Sequence, residues 1–411
     1  MPLSHAINCC RIVESPEEAP SYWLMDAHAR HPSYSERLPS EVEVIVIGGG
    51  AIGVAATYWL ARQDVAVLML DSFLLAHGAS GRNAGLLLFA CNGLESPDLI
   101  RSVLKEEGID AQHKVCGHLA LASSQSVADR IQDEVAKRPT WAEPLHFLNR
   151  TECEDLLRMR VSQRFCGGRW LPSGAAIHPV RFVYGLAAAA IRHGASVGVM
   201  AQALELIRLP SDDRVEVKTT RGILRARRVL VACNVRTGVL LPGLERFFRP
   251  TRGQVLCTQP LSQIFRIGLA VDWGNLYWRQ AKDGVIVLGG YYNMDPVVES
   301  TSLESLNPGI QGALDRFLPE AFPDFPPFSV AKRWAGIMDE TVDGKPVVGR
   351  WPPGGNVWVA AGFGGHGLPP ALGVGRELAN SIVRDKLSSQ LEPFDPVRFG
   401  TSRPSPCAES S

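Results

Sequence analysis

Glycines 48, 50 and 53 hold a G-x-G-x-x-G spacing directly after the apolar run Glu43–Ile47, and Asp71 closes the next apolar run, Val65–Leu70. A strand that enters a glycine turn and leaves it as a helix offers free N–H groups and a positive dipole end to a phosphate. The first glycine allows the tight turn, the second lets backbone approach a pyrophosphate, and the third lets helix pack on strand. An acid ending the second strand accepts hydrogen bonds from ribose hydroxyls and repels a 2′-phosphate. Gly48, Gly50, Ala51, Ile52, Gly53 and Asp71 are therefore candidate ligands of a dinucleotide. Asp71 alone does not say whether that dinucleotide is NAD or FAD.

The elements that must position these residues form a βαβ unit: strand 43–47, helix 52–62 and strand 65–70, both strands apolar enough for burial on two faces. Further along come a helix over 126–137 and a second over 180–192 opened by Pro179. Strand candidates follow at 201–207, 214–219 and 228–232. The runs 252–256, 276–279 and 285–288 read as strands of a second, largely antiparallel sheet. The chain then gives a strand at 357–362, a glycine cluster at 362–367 and a helix over 370–384. Residues 1–40 mix Pro, Ser, His and charges without period and read as a surface-draped or partly disordered leader.

Composition narrows the class. The 411 residues are 45% hydrophobic and 20% charged, with 42 basic and 42 acidic side chains, which suits a two-domain globular enzyme without a nucleic-acid footprint. Nine cysteines include no C-x-x-C pair, so neither a zinc site nor a disulfide framework is indicated, and no metal is expected. Residues 1–20 lack the apolar core of a secretory signal, and the longest apolar stretch, around 183–191, is too short to span a bilayer. A cytoplasmic location is the expectation.

Two distant segments add to the fingerprint. One is Gly78-Ala79-Ser80-Gly81-Arg82-Asn83-Ala84-Gly85. The other runs from Trp334-Ala335-Gly336 through Thr341-Val342-Asp343-Gly344 to Gly362-Phe363-Gly364-Gly365-His366-Gly367. With smaller echoes at Gly117-His118-Leu119, Ile177-His178-Pro179, Arg252-Gly253-Gln254 and Gly289-Gly290, the chain resembles the D-amino-acid oxidase-like superfamily of FAD-dependent oxidoreductases across residues 41–390.

That resemblance implies an α/β fold, a Rossmann-like FAD-binding domain with a second mixed or antiparallel-sheet substrate domain. It implies a discontinuous division: leader 1–40, FAD-binding 41–112, substrate 113–175, FAD-binding 176–246, substrate 247–334, FAD-binding 335–395 and tail 396–411. Ser80, Gly81, Arg82, Asn83, Ala84 and Gly85 would lie along the pyrophosphate and flavin. Gly362, Gly364, Gly365, His366, Gly367 and Leu368 would pass beside the isoalloxazine, and Ala203 would meet the adenine. Gly336 stands where some relatives attach flavin to a cysteine, so a non-covalent FAD is implied, with His77 the alternative attachment point.

The implied reaction oxidises a C–N bond of an amine or amino acid to an imine by hydride transfer to flavin N5, with oxygen or a carrier as electron acceptor. Arg279, Arg252 and Arg333 are candidate anchors for a substrate carboxylate, and Tyr277, Trp278, Tyr291 and Tyr292 candidate walls for an amine. His366, Arg279 and Tyr277 are the candidate catalytic residues. Val285–Leu288 lacks the lysine that promotes oxygen reaction in sarcosine oxidases. The alternatives are a 2-hydroxy-acid or polyol dehydrogenase of the same fold and a non-catalytic flavoprotein partner.

Overall fold

The fingerprint strand Glu41–Ile47 sits inside an eight-stranded sheet, parallel to Val67–Leu70 on one side and to Gly222–Val231 on the other. It belongs to a computed structural model that describes residues 20–27, 30–89, 94–139, 143–209 and 213–400. The sheet runs Ala203–Leu209, Arg214–Thr219, Gly222–Val231, Glu41–Ile47, Val67–Leu70, Ser196–Gly198. One edge of Gly222–Val231 is shared. Its first half pairs antiparallel with Arg214–Thr219, and its last residues pair parallel with Val357–Ala361.

The four inner residues Val44–Ile47 are buried on both faces, as the unbroken apolar run implied. One face carries the helices Ala51–Ala61, Pro179–Arg192 and Ala371–Val383. Small residues let these helices approach. A side chain at Gly375 would lie 2.7 Å from the Ala55 carbonyl carbon, so Gly375 and the alanines of 51–61 form a close-packed seam. The other face packs Ile45, Ile47, Leu68 and Leu70 against Val215, Val217 and Leu244.

The second eight-stranded sheet runs Val330–Thr341, Phe248–Thr258, Ile286–Gly290, Leu276–Gln280, Gly268–Val271, His118–Ala122, Gly167–Leu171, His146–Asn149. Only the Gly268–Val271 pairing with His118–Ala122 is parallel. Helix Pro308–Ala321 covers it through Trp278, Phe265, Phe317 and Phe322. Burying each such ring contributes about 1.5–3 kcal/mol. The long ladder of Phe248–Thr258 with Val330–Thr341 runs out of this core to the fingerprint sheet. At its far end a side chain on Gly362 would meet Thr341 and Phe248, so the ladder carries the C-terminal glycine loop.

The expected elements appear with shifted ends: the helices span Gln125–Ala136, Pro179–Arg192 and Ala371–Val383, and the strand expected at 228–232 belongs to the longer Gly222–Val231. The boundary expected at 334 cuts through strand Val330–Thr341, because hydrogen bonding, not composition, ends that strand. The leader differs more. Ser21 caps helix Tyr22–Asp26, and Trp23 is fully buried. Residues 1–19 and 401–411, holding the rest of the leader and most of the tail, lie outside the described residues. Among the described residues, no helix is long and apolar enough to cross a membrane, and no cluster of His, Cys, Asp and Glu could hold a metal.

Candidate cofactor cleft and active site

Gly48 has φ +115°, and a side chain there would press to 2.3 Å from the Ala232 carbonyl oxygen, so both conformation and space demand glycine. Gly53 is held by contact alone: a Cβ would stand 1.9 Å from the Gly48 oxygen. Gly50 differs, meeting only the Ser80 hydroxyl at 3.1 Å. That opening lies at the first turn of helix Ala51–Ala61, where Ala51 N–H donates to Ser80 Oγ at 2.9 Å. No group among the described residues accepts from the Ile52 or Gly53 N–H. The helix therefore ends in unspent donors of the kind a phosphate takes up.

Asp71 lies beside this turn. Its carboxylate accepts from Gly49 N–H at 2.7 Å and Phe73 N–H at 2.8 Å, and burial pushes it up to about 6 despite these bonds. Met200 and Ala201 donate main-chain hydrogen bonds to Phe73 and Asp71 oxygens. Ala203, expected at the adenine, opens the strand Ala203–Leu209.

The Ala79–Gly85 loop has a donor on every carbonyl. Asn83 Nδ2 reaches Ala79 O and Ser80 O, Ser21 Oγ reaches Gly81 O, and Trp334 Nε1 reaches Arg82 O. Trp23 Nε1 reaches Asn83 O at 2.6 Å, Arg279 Nε reaches Ala84 O at 2.5 Å, and Ile177 N–H reaches Gly85 O. Asn83 also accepts from Gly85 N–H at 2.7 Å, closing an Asx-type turn around Gly85 at φ +67°. Arg82 is buried, donating to His77 O and Ala335 O, with Glu304 at 3.1 Å from Nη2. Gly336 stands against it: a Cβ there would be 3.0 Å from Arg82 Cβ.

Across the cleft, one face of strand Val330–Thr341 presents Gly336, Met338 and Glu340. A Cβ on Gly365 would meet Met338 Sδ at 2.8 Å, and one on Gly364 would meet Glu340 Cγ at 3.5 Å, so the C-terminal glycine loop lies on this face. Gly362, Gly364 and Gly365 all take left-handed φ. His366 is exposed, and its Nδ1–H donates to Gly364 O at 2.8 Å, which leaves Nε2 outward. Tyr277 is half-buried with its hydroxyl over Gly289, and burial raises its phenol to about 12.

The expected arginine anchors are employed elsewhere. Arg279 serves the carbonyls of Ala84 and Ile177 and stacks 4.6 Å over Trp23, with burial lowering it to about 10. Arg252 is bidentate to buried Glu299, at 2.8 Å for both bonds, and also holds Val298 O and Leu303 O. Arg333 binds Gln311 and Asp315 on helix Pro308–Ala321. A strand arginine looks free in sequence because its carbonyl and carboxylate partners are distant in the chain. Trp278 is plain core and Tyr291 packs beside it. His77 stacks on Phe73 at 4.5 Å, and burial, with Arg82 and Arg236 nearby, lowers it to about 4.

Sequence reasoning missed Ser21, Trp23, Trp334, Glu304 and Arg236. Arg236 is an exposed cation close enough to act electrostatically on Asp71, His77 and Glu304. For Trp23 a signal existed: the apolar Tyr22-Trp23-Leu24 behind a capping serine, inside an otherwise polar leader.

A family model described as FAD dependent oxidoreductase matches residues 43–381. The chain belongs to that family. The probable oxidoreductase OrdL of Haemophilus influenzae is 25% identical over 381 residues, covering 84% of this chain and 83% of its own. Human mitochondrial dimethylglycine dehydrogenase is 24% identical over 423 residues, covering 96% of this chain, which spans about half (48%) of that relative's length. Glycine oxidase from Bacillus cereus has a similar fold, with a TM-score of 0.74 at 19% identity over 89% of this chain and 99% of that one. The chain is thus an FAD-dependent oxidoreductase of the D-amino-acid oxidase-like superfamily. The unspent N–H groups at Ile52 and Gly53 and the open Gly50 fit a dinucleotide pyrophosphate.

Proposed function

We propose that this enzyme oxidises a C–N bond of a small amine or amino acid to an imine, which water then hydrolyses. The observation that carries the proposal is the pair of glycine loops, Ala79–Gly85 and Gly362–Gly367, disposed about one face of strand Val330–Thr341. FAD, when bound, supplies the acceptor for the hydride leaving the substrate carbon. Gly48, Gly50, Ala51, Ile52 and Gly53 hold the pyrophosphate and Asp71 the ribose. Ser80–Gly85 and Gly362–Leu368 line the flavin end. Tyr277, Tyr292, Met338 and Glu340 wall the substrate. The division into an FAD domain and a substrate domain follows the same lines, with the last boundary moved to the end of strand Val330–Thr341.

With Arg279, Arg252 and Arg333 engaged, Glu340 is the charged side chain of the substrate wall, which favours an amine over a free carboxylate. The likeness to dimethylglycine dehydrogenase supports C–N over C–O oxidation. Gly336, which carries no side chain that could bond the cofactor and leaves little room for one beside Arg82, supports a flavin held without a covalent bond. A buried, wholly apolar Val285–Leu288 supports slow reaction with oxygen relative to a carrier.

Anaerobic mixing of the purified yellow protein with amines, amino acids and 2-hydroxy acids tests the proposal. Bleaching by amines or amino acids is expected. Bleaching by hydroxy acids alone would replace the reading with the C–O alternative. Acid precipitation is expected to leave all flavin in the supernatant.

A further inference from the structure

We propose that the segment Ser21–Asp26 is a clamp on the cofactor, in which Trp23 is a positioning residue that sets the direction of the Ala84 N–H. The inference rests on the reading that the Ala79–Gly85 loop lies along FAD. It goes beyond the family-wide fold, because residues 21–26 precede the 43–381 span that defines the family.

A trans peptide points its C=O and the following N–H in opposite directions, so fixing one fixes the other. Trp23 Nε1 holds the Asn83 carbonyl at 2.6 Å, and the N–H of that same peptide belongs to Ala84. Ala84 is buried, yet its N–H finds no acceptor among the described residues. A buried, unspent backbone donor costs free energy unless something accepts from it. The peptide two positions earlier is also held by its carbonyl, although its N–H already donates to Ala79 O. Ser21 Oγ holds the Gly81 carbonyl at 2.5 Å, which turns the Arg82 N–H away from the clamp.

The clamp has one anchor in common with the loop and others apart from it. Arg279 covers the Trp23 ring at 4.6 Å while donating to Ala84 O, so tryptophan and loop share one cation. Tyr22 Oη donates to Asp283 at 2.8 Å. Asp26 pairs with Arg181 at 2.7 Å and His178 at 3.0 Å, the latter capping helix Pro179–Arg192. Trp23 is thus a fully buried side chain whose one polar atom is spent on the loop. Helix Tyr22–Asp26 is too short to persist without such anchors.

The test uses the full-length holoprotein. FAD is removed and titrated back, following flavin fluorescence and the visible band shape, and the midpoint potential is measured on the reloaded protein. Trp23→Phe keeps a ring beneath Arg279 and deletes only the N–H donor. A rise in the FAD Kd of about threefold to tenfold is expected, the loss of one buried hydrogen bond, together with a shifted band shape or potential. Folded Trp23→Phe protein with unchanged Kd, spectrum and potential would overturn the clamp. Ser80→Ala is the companion variant: if it too leaves the Kd unchanged, the reading that the loop lies along FAD is what fails. Should Trp23→Phe not fold, Ser21→Ala decides in the same assays, a rise in Kd supporting the clamp and no change overturning it.

Discussion

Glu304 Oε2 lies 3.1 Å from Arg82 Nη2, an ion pair that joins the loop after Glu299 to the Ala79–Gly85 loop. The contact is close enough for Coulomb attraction but off the geometry of a hydrogen bond. Burial pushes the Glu304 carboxyl up, while Arg82 and Arg236 pull it down. Arg82 also donates to His77 O and Ala335 O, bonds that do not involve Glu304.

A substrate carboxylate would have to compete with Glu304 for Arg82. Glu304→Gln is therefore expected to lower KM for amino acids at least threefold while leaving KM for simple amines within twofold. Because Glu304 is partly exposed, stability should change by no more than about 1 kcal/mol. Steady-state kinetics with a dye acceptor read this out, and equal shifts for both substrate classes would show that Arg82 does not meet the carboxylate.

Two of the fingerprint glycines, Gly53 and Gly50, should fail differently. Gly53→Ala forces a methyl to 1.9 Å from a backbone oxygen and is expected to cost stability, visible as a melting point lowered by several degrees without FAD. Gly50→Ala meets only a rotatable hydroxyl, so the protein should fold normally and lose FAD affinity by tenfold or more. Normal FAD binding by Gly50→Ala would remove the pyrophosphate from this turn.

Arg252 and Glu299 are both buried, and their bond lengths of 2.8 Å make a bidentate pair. Burial raises the Glu299 carboxyl, but bonds from Arg252, Asn307 and Gln254 outweigh it and hold it below its usual range. Arg252→Ala strands that charge and should cost roughly 3–5 kcal/mol in urea unfolding. Arg252→Met with Glu299→Met should recover most of the loss; a single variant as stable as wild type would refute the assignment.

His118 is buried, its ring nitrogens find no partner among the described residues, and burial, with Arg169 nearby, lowers it from 6.5 to about 3. The unfolded chain therefore takes up a proton below pH 6.5 that the folded protein refuses until about pH 3. The contribution to stability is complete above pH 6.5 and falls on acidification, by about 1.4 kcal/mol per pH unit. Urea midpoints across pH 4.5–7.5 should slope less in His118→Leu; parallel slopes would mean that His118 is protonated in the folded state.

The fingerprint was legible because its requirements are local: Gly48, Gly53 and Asp71 act within one βαβ unit. The second sheet was legible in type, since Leu276–Gln280 and Ile286–Gly290 alternate or bury as strands do. Roles set by distant partners were not. Arg279 and Ala84 are far apart in sequence, and nothing near Arg279 shows that it will spend its donors on loop carbonyls. Gly365 and Met338 meet only because the ladder of Phe248–Thr258 with Val330–Thr341 ends beside the loop that follows Val357–Ala361. Trp23 was hidden by the polar company it keeps.

Strand Gly222–Val231 takes Glu41–Ile47 on one edge and Val357–Ala361 on the end of the other. On the proposed placement of FAD, its site is stitched from both ends of the described chain. A nascent polypeptide emerging from the ribosome can build the fingerprint turn early, but the proposed flavin-side wall follows only when the 357–367 stretch is released. FAD capture would then come late in synthesis, after most of the length has been made. Chains stalled or truncated before residue 357 would expose the unpaired edge of Gly222–Val231, the kind of surface that chaperones and proteases find first.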